Sequence, residues 1–196
     1  MVSKLREYLE RHIEINEEFW QEVIEHTKEI FIRKNDILVN HGSRRRCAYV
    51  ITSGSLQASL IATNGEQNTV WFYMEDLFHV AVCMDSYFLG EPTNYEVTAL
   101  EDSKVYRFNK ETVDSWILRY PSFNEFFRAD IIESFIQVNE IRNHMITHPP
   151  SELISYLYRN YPLIFDKIPD KHIAQFMGIT PEWFSKLKKK KKHLIE

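Results

Sequence analysis

Apolar positions recur at three- and four-residue spacing from residue 3 to residue 26, and then the pattern switches to short alternating runs. In the first stretch Leu5, Tyr8, Leu9, His12 and Ile13 share one helical face. Phe19, Trp20, Val23 and Ile24 repeat it after Asn16, a suitable N-cap, so one or two helices are predicted. Past Lys28 come β-branched and aromatic runs: Ile30-Phe31-Ile32, Ile37-Leu38-Val39, Tyr49-Val50-Ile51, Leu56 to Ala62, Thr69 to Tyr73, Tyr95 to Leu100 and Lys104 to Phe108. Turn signals separate them, among them Lys34-Asn35-Asp36, Asn40-His41-Gly42-Ser43, Ser53-Gly54, Leu89-Gly90-Glu91-Pro92 and Glu101-Asp102-Ser103. Asn64-Gly65, flanked by two alternating runs, is the strongest hairpin signal. Seven or eight short strands with regular turns predict a β-sandwich or jelly roll of about 80 residues.

Helical spacing returns at Asn109 or Lys110 and runs to about Met145, broken once at Tyr120-Pro121-Ser122. From Phe123 the apolar positions are Phe126, Phe127, Ile131, Ile132, Phe135, Val138, Ile141 and Met145. Roughly 24 residues at 1.5 Å each give a helix about 36 Å long, more than one small domain needs. Its stripe is wide enough to cover the strand domain and a second copy of itself, the reading preferred over a helix packed only on its own barrel. His148-Pro149-Pro150-Ser151 cannot continue a helix and marks a hinge, after which Glu152 to Arg159 form a helix.

The stretch from Ile168 to Leu187 then reads as two short helices and a tight turn. Pro169 and Asp170 suit a helix start, and Ile173, Phe176 and Met177 form its apolar face. Gly178 ends it, Thr180 caps the next helix and Pro181 takes its first position, where no amide is needed. Small Ala174 permits close approach, Ile179 and Phe184 fill the space between the helices, and Leu187 continues the stripe. This is the helix-turn-helix pattern, whose second helix enters the major groove; an ordinary αα-hairpin in a helical core is the bland alternative. The fold class expected is α+β: an N-terminal β jelly roll, a long helix and an all-α C-terminal helix-turn-helix domain.

Composition narrows this further. The hydrophobic fraction of 44% is that of an ordinary globular chain. No run of 18 apolar residues exists, so no membrane partner or membrane span is expected. Two cysteines, Cys47 and Cys83, without a CxxC pair, suit a reducing cytosol and read as small buried apolar groups. The net charge of −4 is unevenly spread: residues 169–196 hold seven cations against three carboxylates, a net of +4, which leaves −8 for residues 1–168. An acidic body with a basic end suits a protein that offers only that end to nucleic acid, although a lysine tail also serves solubility.

Jelly roll, long helix, hinge and helix-turn-helix, in that order, resemble the CRP/FNR superfamily of bacterial transcription regulators. Local echoes are Tyr49-Val50-Ile51-Thr52-Ser53-Gly54, Glu75-Asp76-Leu77-Phe78, Ala99-Leu100-Glu101-Asp102-Ser103, and His172-Ile173-Ala174 with Gly178-Ile179-Thr180-Pro181-Glu182. The last group is similar to a short branch that ends soon after the recognition helix without an evident wing. The resemblance implies a cyclic-nucleotide-binding-like effector domain over 1–118, a dimerisation helix over 119–147 and a DNA-binding domain over 148–196. Its partners would be double-stranded DNA, a second copy of the chain through the long helix, RNA polymerase, and an unknown small-molecule effector or none.

The resemblance also implies a phosphate cassette with an early Gly-Glu pair and a late arginine, and here the chain departs. The early pair falls at His79-Val80 or Val82-Cys83, and the late position carries Asn94. Losing both charged contacts costs several kcal/mol of phosphate binding, so weak or no cyclic-nucleotide binding is expected. Gly90, Glu91, Thr93 and Asn94 remain the effector-binding candidates, or Phe78, Tyr87 and Phe88 fill the cavity. An iron–sulfur sensor would need N-terminal cysteines, and eight scattered histidines name no haem ligand, so no cofactor is expected. Nor is an enzyme: His41 and His79 are isolated and give a jelly-roll metal site no His-x-His pair.

In the second helix the exposed early positions are Pro181, Glu182, Ser185 and Lys186, with Lys189 one turn on. Glu182 suits a cytosine amino group, and Ser185 or Lys186 suit guanine O6 and N7. Thr180, the backbone at the helix start and Lys188 to Lys192 suit phosphate. Trp183 is expected to pack beneath the helix. The competing function is a degenerate sensor module that acts through protein partners with weak or no specific DNA binding.

Overall fold

The computed structural model describes residues 3–62, 65–75 and 77–195, the side chains of Ser3 and of residues 191–195 excepted. Two helices open the chain, α1 (Ser3–Glu10) and α2 (Glu17–His26). Asn16 caps α2 as its sequence position suggests, its Oδ1 accepting the Phe19 N–H at 2.8 Å.

Eight strands come next: β1 (Lys28–Ile32), β2 (Ile37–Val39), β3 (Cys47–Ser53), β4 (Ser55–Ile61), β5 (Gln67–Met74), β6 (Val80–Val82), β7 (Tyr95–Ala99) and β8 (Ser103–Asn109). They form two four-stranded antiparallel sheets, ordered β1-β8-β3-β6 and β2-β7-β4-β5. The inner faces bury Ile32, Ile51, Leu56, Ala58, Val97, Ala99 and Val105. β3 turns into β4 through Gly54, at φ +91°, where an added Cβ would lie 2.8 Å from the Asp102 carbonyl oxygen and would also meet the Ser103 hydroxyl, so both conformation and space demand glycine. β4 and β5 pair from Ser55↔Met74 to Ile61↔Gln67. Gly65 lies in the turn between them, while Asn64 of the predicted hairpin lies outside the described residues, as does Asp76 of the second family echo.

The outer face of the first sheet is covered by α1, α2 and α3 (Lys110–Arg119), with Leu5, Phe19, Trp20 and Val23 against Tyr106, Phe108 and Trp116. Glu22 ties α2 to α3: it pairs with Arg119 and accepts from Trp116 Nε1 at 3.0 Å and the Tyr120 hydroxyl at 2.9 Å. The break at Pro121 falls where expected, and α4 (Pro121–Thr147) runs 27 residues. It buries only Phe123 and Ile141. Ile131, Ile132, Phe135, Ile136 and Val138 all face solvent, Phe135 at 68% exposure. Packing on its own barrel therefore accounts for only part of the predicted stripe.

Beyond His148 come α5 (Pro150–Asn160), α6 (Pro162–Lys167), α7 (Asp170–Phe176) and α8 (Pro181–Ile195). Their core, built on Leu153, Ile154, Leu157, Ile164, Ile173 and Phe184, is continuous with Ile141 of α4 and with Phe72, Met74 and Leu100 of the barrel. α7 lies against β5. The Gln175 amide donates to the Gln67 carbonyl and its oxygen accepts from the Thr69 hydroxyl at 2.7 Å, while the Phe176 ring meets Phe72 at 5.4 Å. The Pro149-Pro150 break ends a helix as predicted, yet the segment after it is seated on the barrel.

Candidate nucleic-acid interface and effector cassette

The α7–turn–α8 unit is held from within by Ile173, Ala174 and Phe184, all fully buried. Gly178, at φ +66°, lets the chain reverse, and the Ile179 N–H closes the turn on the Ala174 carbonyl at 3.0 Å. Thr180 then caps α8, its hydroxyl accepting the Trp183 N–H at 3.2 Å, and Pro181 takes the first helical position. Glu182, Ser185, Lys186 and Lys189 are spaced three, four and seven residues apart, share one face and are exposed. Among the described residues none of these four side chains has a hydrogen-bond or ion-pair partner. The interior of the unit is satisfied; its outer face is not.

Two candidates are placed differently. Lys188 is half-buried and bonded to Asp170 Oδ1 at 2.6 Å, which pins α8 to the start of α7. Trp183, expected beneath the helix, is 47% exposed. One residue is a 100° step around a helix, so Phe184 takes the inward direction and carries its neighbour out to the flank. The side chains of Lys191 and Lys192 lie outside those described.

The cassette lies between β6 and β7. A single π-helical turn, Asp85–Leu89, ends at Gly90 with φ +71°. Asp85 organises the loop beyond it: the carboxylate accepts the Ser86 N–H at 2.9 Å and the Asn94 N–H at 2.8 Å. Burial alone would raise this carboxyl's pKa; the hydrogen bonds outweigh it and hold the group below the usual carboxylate range. Thr93 is buried, its N–H on the Ser43 carbonyl at 2.9 Å and its carbonyl accepting from Gly42 at 2.7 Å. Arg44 donates to the Gly90 carbonyl at 3.2 Å, and Glu91 is exposed. The structure thus gathers Gly90, Glu91, Thr93 and Asn94 in one loop, with Asp85 accepting from the Ser86 and Asn94 N–H groups.

The inner face of the barrel is lined by aromatics, but not by those expected from the sequence. Phe78 packs outside, 4.6 Å from Trp71 and 5.6 Å from Tyr161; Tyr87 is buried with Lys110 over its ring; Phe88 is exposed. Tyr49 fills the interior, with Tyr73, Tyr95 and the buried Cys83 beside it. Burial pushes the Tyr73 phenol up, and it raises the Cys83 thiol to about 11. Both cysteines are free, and among the described residues no cluster of three or more His, Cys, Asp or Glu is arranged to hold a metal. Also among them, no helix is long and apolar enough to cross a membrane. An open groove of about 660 Å³ runs between α4 and α5, lined by Ile132, Ile136, Tyr156 and Tyr161.

Three of these features escaped the sequence. Asp85 is an isolated acid whose role depends on Asn94 folding back over it. The Gln67–Thr69–Gln175 seam joins residues more than a hundred positions apart. The outward turn of Trp183 was in principle available from the helical wheel once Phe184 was assigned inward.

Residues 29–120 match the family model of the cyclic nucleotide-binding domain. No curated protein matches the sequence. Among solved structures the chain is similar to a mutant of CooA from Carboxydothermus hydrogenoformans, at 16% identity over 88% of this chain and 79% of that one, TM-score 0.66. It is similar to FixK2 from Bradyrhizobium japonicum at 11% identity, over 86% and 85%, TM-score 0.67. It is also similar to the catabolite activator protein of Thermus thermophilus at 14% identity, over 91% and 84%, TM-score 0.52. At such identities the likeness is one of fold.

Proposed function

We propose that this chain, which carries a cyclic nucleotide-binding domain and shares its fold with the CRP/FNR-type transcription regulators, is itself a sequence-specific DNA-binding regulator that works as a two-fold dimer. The observation that carries the reading is the outer face of α8. Glu182, Ser185, Lys186 and Lys189 stand exposed and unpaired among the described residues, on a helix capped by Thr180 and braced by α7. Glu182 and Lys186 take base edges, Ser185 either a base or a phosphate, and Thr180, Pro181 and Lys189 line the approach to the backbone. Lys188 contributes by fixing α8 on α7.

Dimerisation uses the apolar side of α4, where Ile132, Phe135 and Ile136 and the adjoining groove are left for a second copy. Two α8 helices related by that axis read half-sites about 34 Å apart on one DNA face. In functional terms residues 1–118 form the effector domain, 119–147 the dimer helix and 148–196 the DNA-binding end. RNA polymerase is the natural further partner of such a regulator. The effector domain does not take a cyclic nucleotide, because Asp85 engages the cassette's donors and Tyr49, Tyr73 and Tyr95 occupy the interior.

The test is selection of genomic DNA fragments by the purified protein at two salt concentrations. The expected result is a two-fold symmetric motif whose binding weakens steeply with salt and is lost in Lys186→Ala. Weak binding without a motif would sink the reading and favour a module acting through protein partners.

A further inference from the structure

Of the four tryptophans, Trp183 alone stands among the exposed large apolar side chains; Trp20 and Trp116 are buried and Trp71 is half-buried. It occupies the third position of α8, its N–H fixed on the Thr180 cap and its indole turned away from the packed side that Phe184 occupies. Helical spacing places Lys186 and Lys190, three and seven residues on, along the same flank, and both are exposed. Among the described residues no ring or cation stacks on the indole, and neither lysine has an ion-pair partner. The strip adjoins the Glu182–Ser185–Lys186–Lys189 face and shares Lys186 with it.

A lone exposed apolar side chain is ordinary on a protein surface. Position sets this one apart: it lies in the first turn of the second helix, the part of a helix-turn-helix that contacts base edges. The apolar group that a base edge offers in the major groove is the thymine C5-methyl. A large, stiff indole in a cationic strip is suited to such a methyl, while Lys190 beside it answers to a phosphate and Lys186 to the neighbouring base edge. We infer that Trp183 is a specificity-determining residue that packs against a thymine methyl at one position of each half-site. The inference rests on the DNA-reading function proposed above and adds an apolar contact to what hydrogen bonding can select.

Replacing thymine by deoxyuridine removes the methyl and leaves every hydrogen-bonding group in place. In the motif selected by the wild-type protein, each thymine is replaced in turn. At one position per half-site the wild type should lose about fourfold in affinity for each methyl removed. Trp183→Ala should bind thymine and deoxyuridine equally there, with the salt dependence unchanged because no charge is lost. Trp183→Phe should keep part of the discrimination, and both variants should melt with the wild type, since the site is exposed. Retention of full discrimination by Trp183→Ala at every thymine, or a wild-type motif with no deoxyuridine-sensitive position, overturns the inference and leaves DNA reading intact. A wild-type protein that selects no motif removes the DNA-reading premise itself, so the two failures are distinguishable.

Discussion

On α8, Glu182, Ser185, Lys186 and Lys189 point outward with no partner among the described residues; in the β6–β7 turn, the Asp85 carboxylate accepts from the Ser86 and Asn94 N–H groups and the Thr93 hydroxyl from the Tyr95 N–H. The two segments are similar in polarity and opposite in use. A polar group bonded inside its own chain has given up the free energy it could offer a ligand, whereas one left in water keeps it. By that measure the helical end is equipped to recognise something and the cassette is equipped to hold its own shape. In the loop, a single carboxylate accepts from the Ser86 and Asn94 N–H groups and so leaves neither of them free.

The largest effect is expected where α8 loses the packing beneath it. Phe184→Ala removes a fully buried ring between α7, α8 and α5 and should destabilise the protein by about 3–5 kcal/mol in denaturant unfolding. A much smaller loss would mean that the helical end is not a packed unit. Next, Lys186→Ala should weaken binding to a selected operator by roughly 1–3 kcal/mol and relax specificity at one position of each half-site. Lys188→Ala should leave that affinity nearly unchanged and lose less than about 1 kcal/mol of stability, because its partner is Asp170. Equal losses of operator affinity in the two variants would erase the distinction between free and engaged lysines.

Asp85→Ala should cost about 1–2 kcal/mol by freeing two backbone N–H groups, and Asp85→Asn less. Folding lowers the pKa of this carboxyl from an ordinary 3.8, so its stabilisation is complete above that value and fades as the pH falls through the folded-state pKa. The acid limb of a melting-temperature profile should therefore be shallower in Asp85→Ala. The smallest expected effect is none: millimolar cyclic AMP should leave the wild-type melting temperature unchanged in calorimetry. A rise of several degrees would show the cassette to be open after all.

Much of this architecture is legible in the order of the residues. Alternation marked seven strands, Asn16 and Thr180 announced helix starts, and Pro121 and Pro149 fell at helix breaks because proline cannot continue one. Two short elements were missed, the three residues of β6 and the six of α6, while β2, equally short, was marked by its Ile37-Leu38-Val39 run. In the site, the face of α8 came from spacing alone. Asp85 did not, because nothing local distinguishes a carboxylate that will be covered by a backbone amide nine residues later. Nor did the filling of the barrel, where Tyr49, Tyr73 and Tyr95 lie on strands and turn inward by register.

The seam between α7 and β5 has a consequence for how the chain is made. Thr69 and Gln175 are separated by 106 residues, so their contact closes a very long loop, and the entropy of that closure is met only when a formed barrel already presents Phe72, Met74 and Leu100. During synthesis those three side chains wait, uncovered, until the last helices emerge. A nascent chain halted before residue 173 would carry an apolar patch on an otherwise finished barrel, the kind of surface that chaperones and proteases act upon.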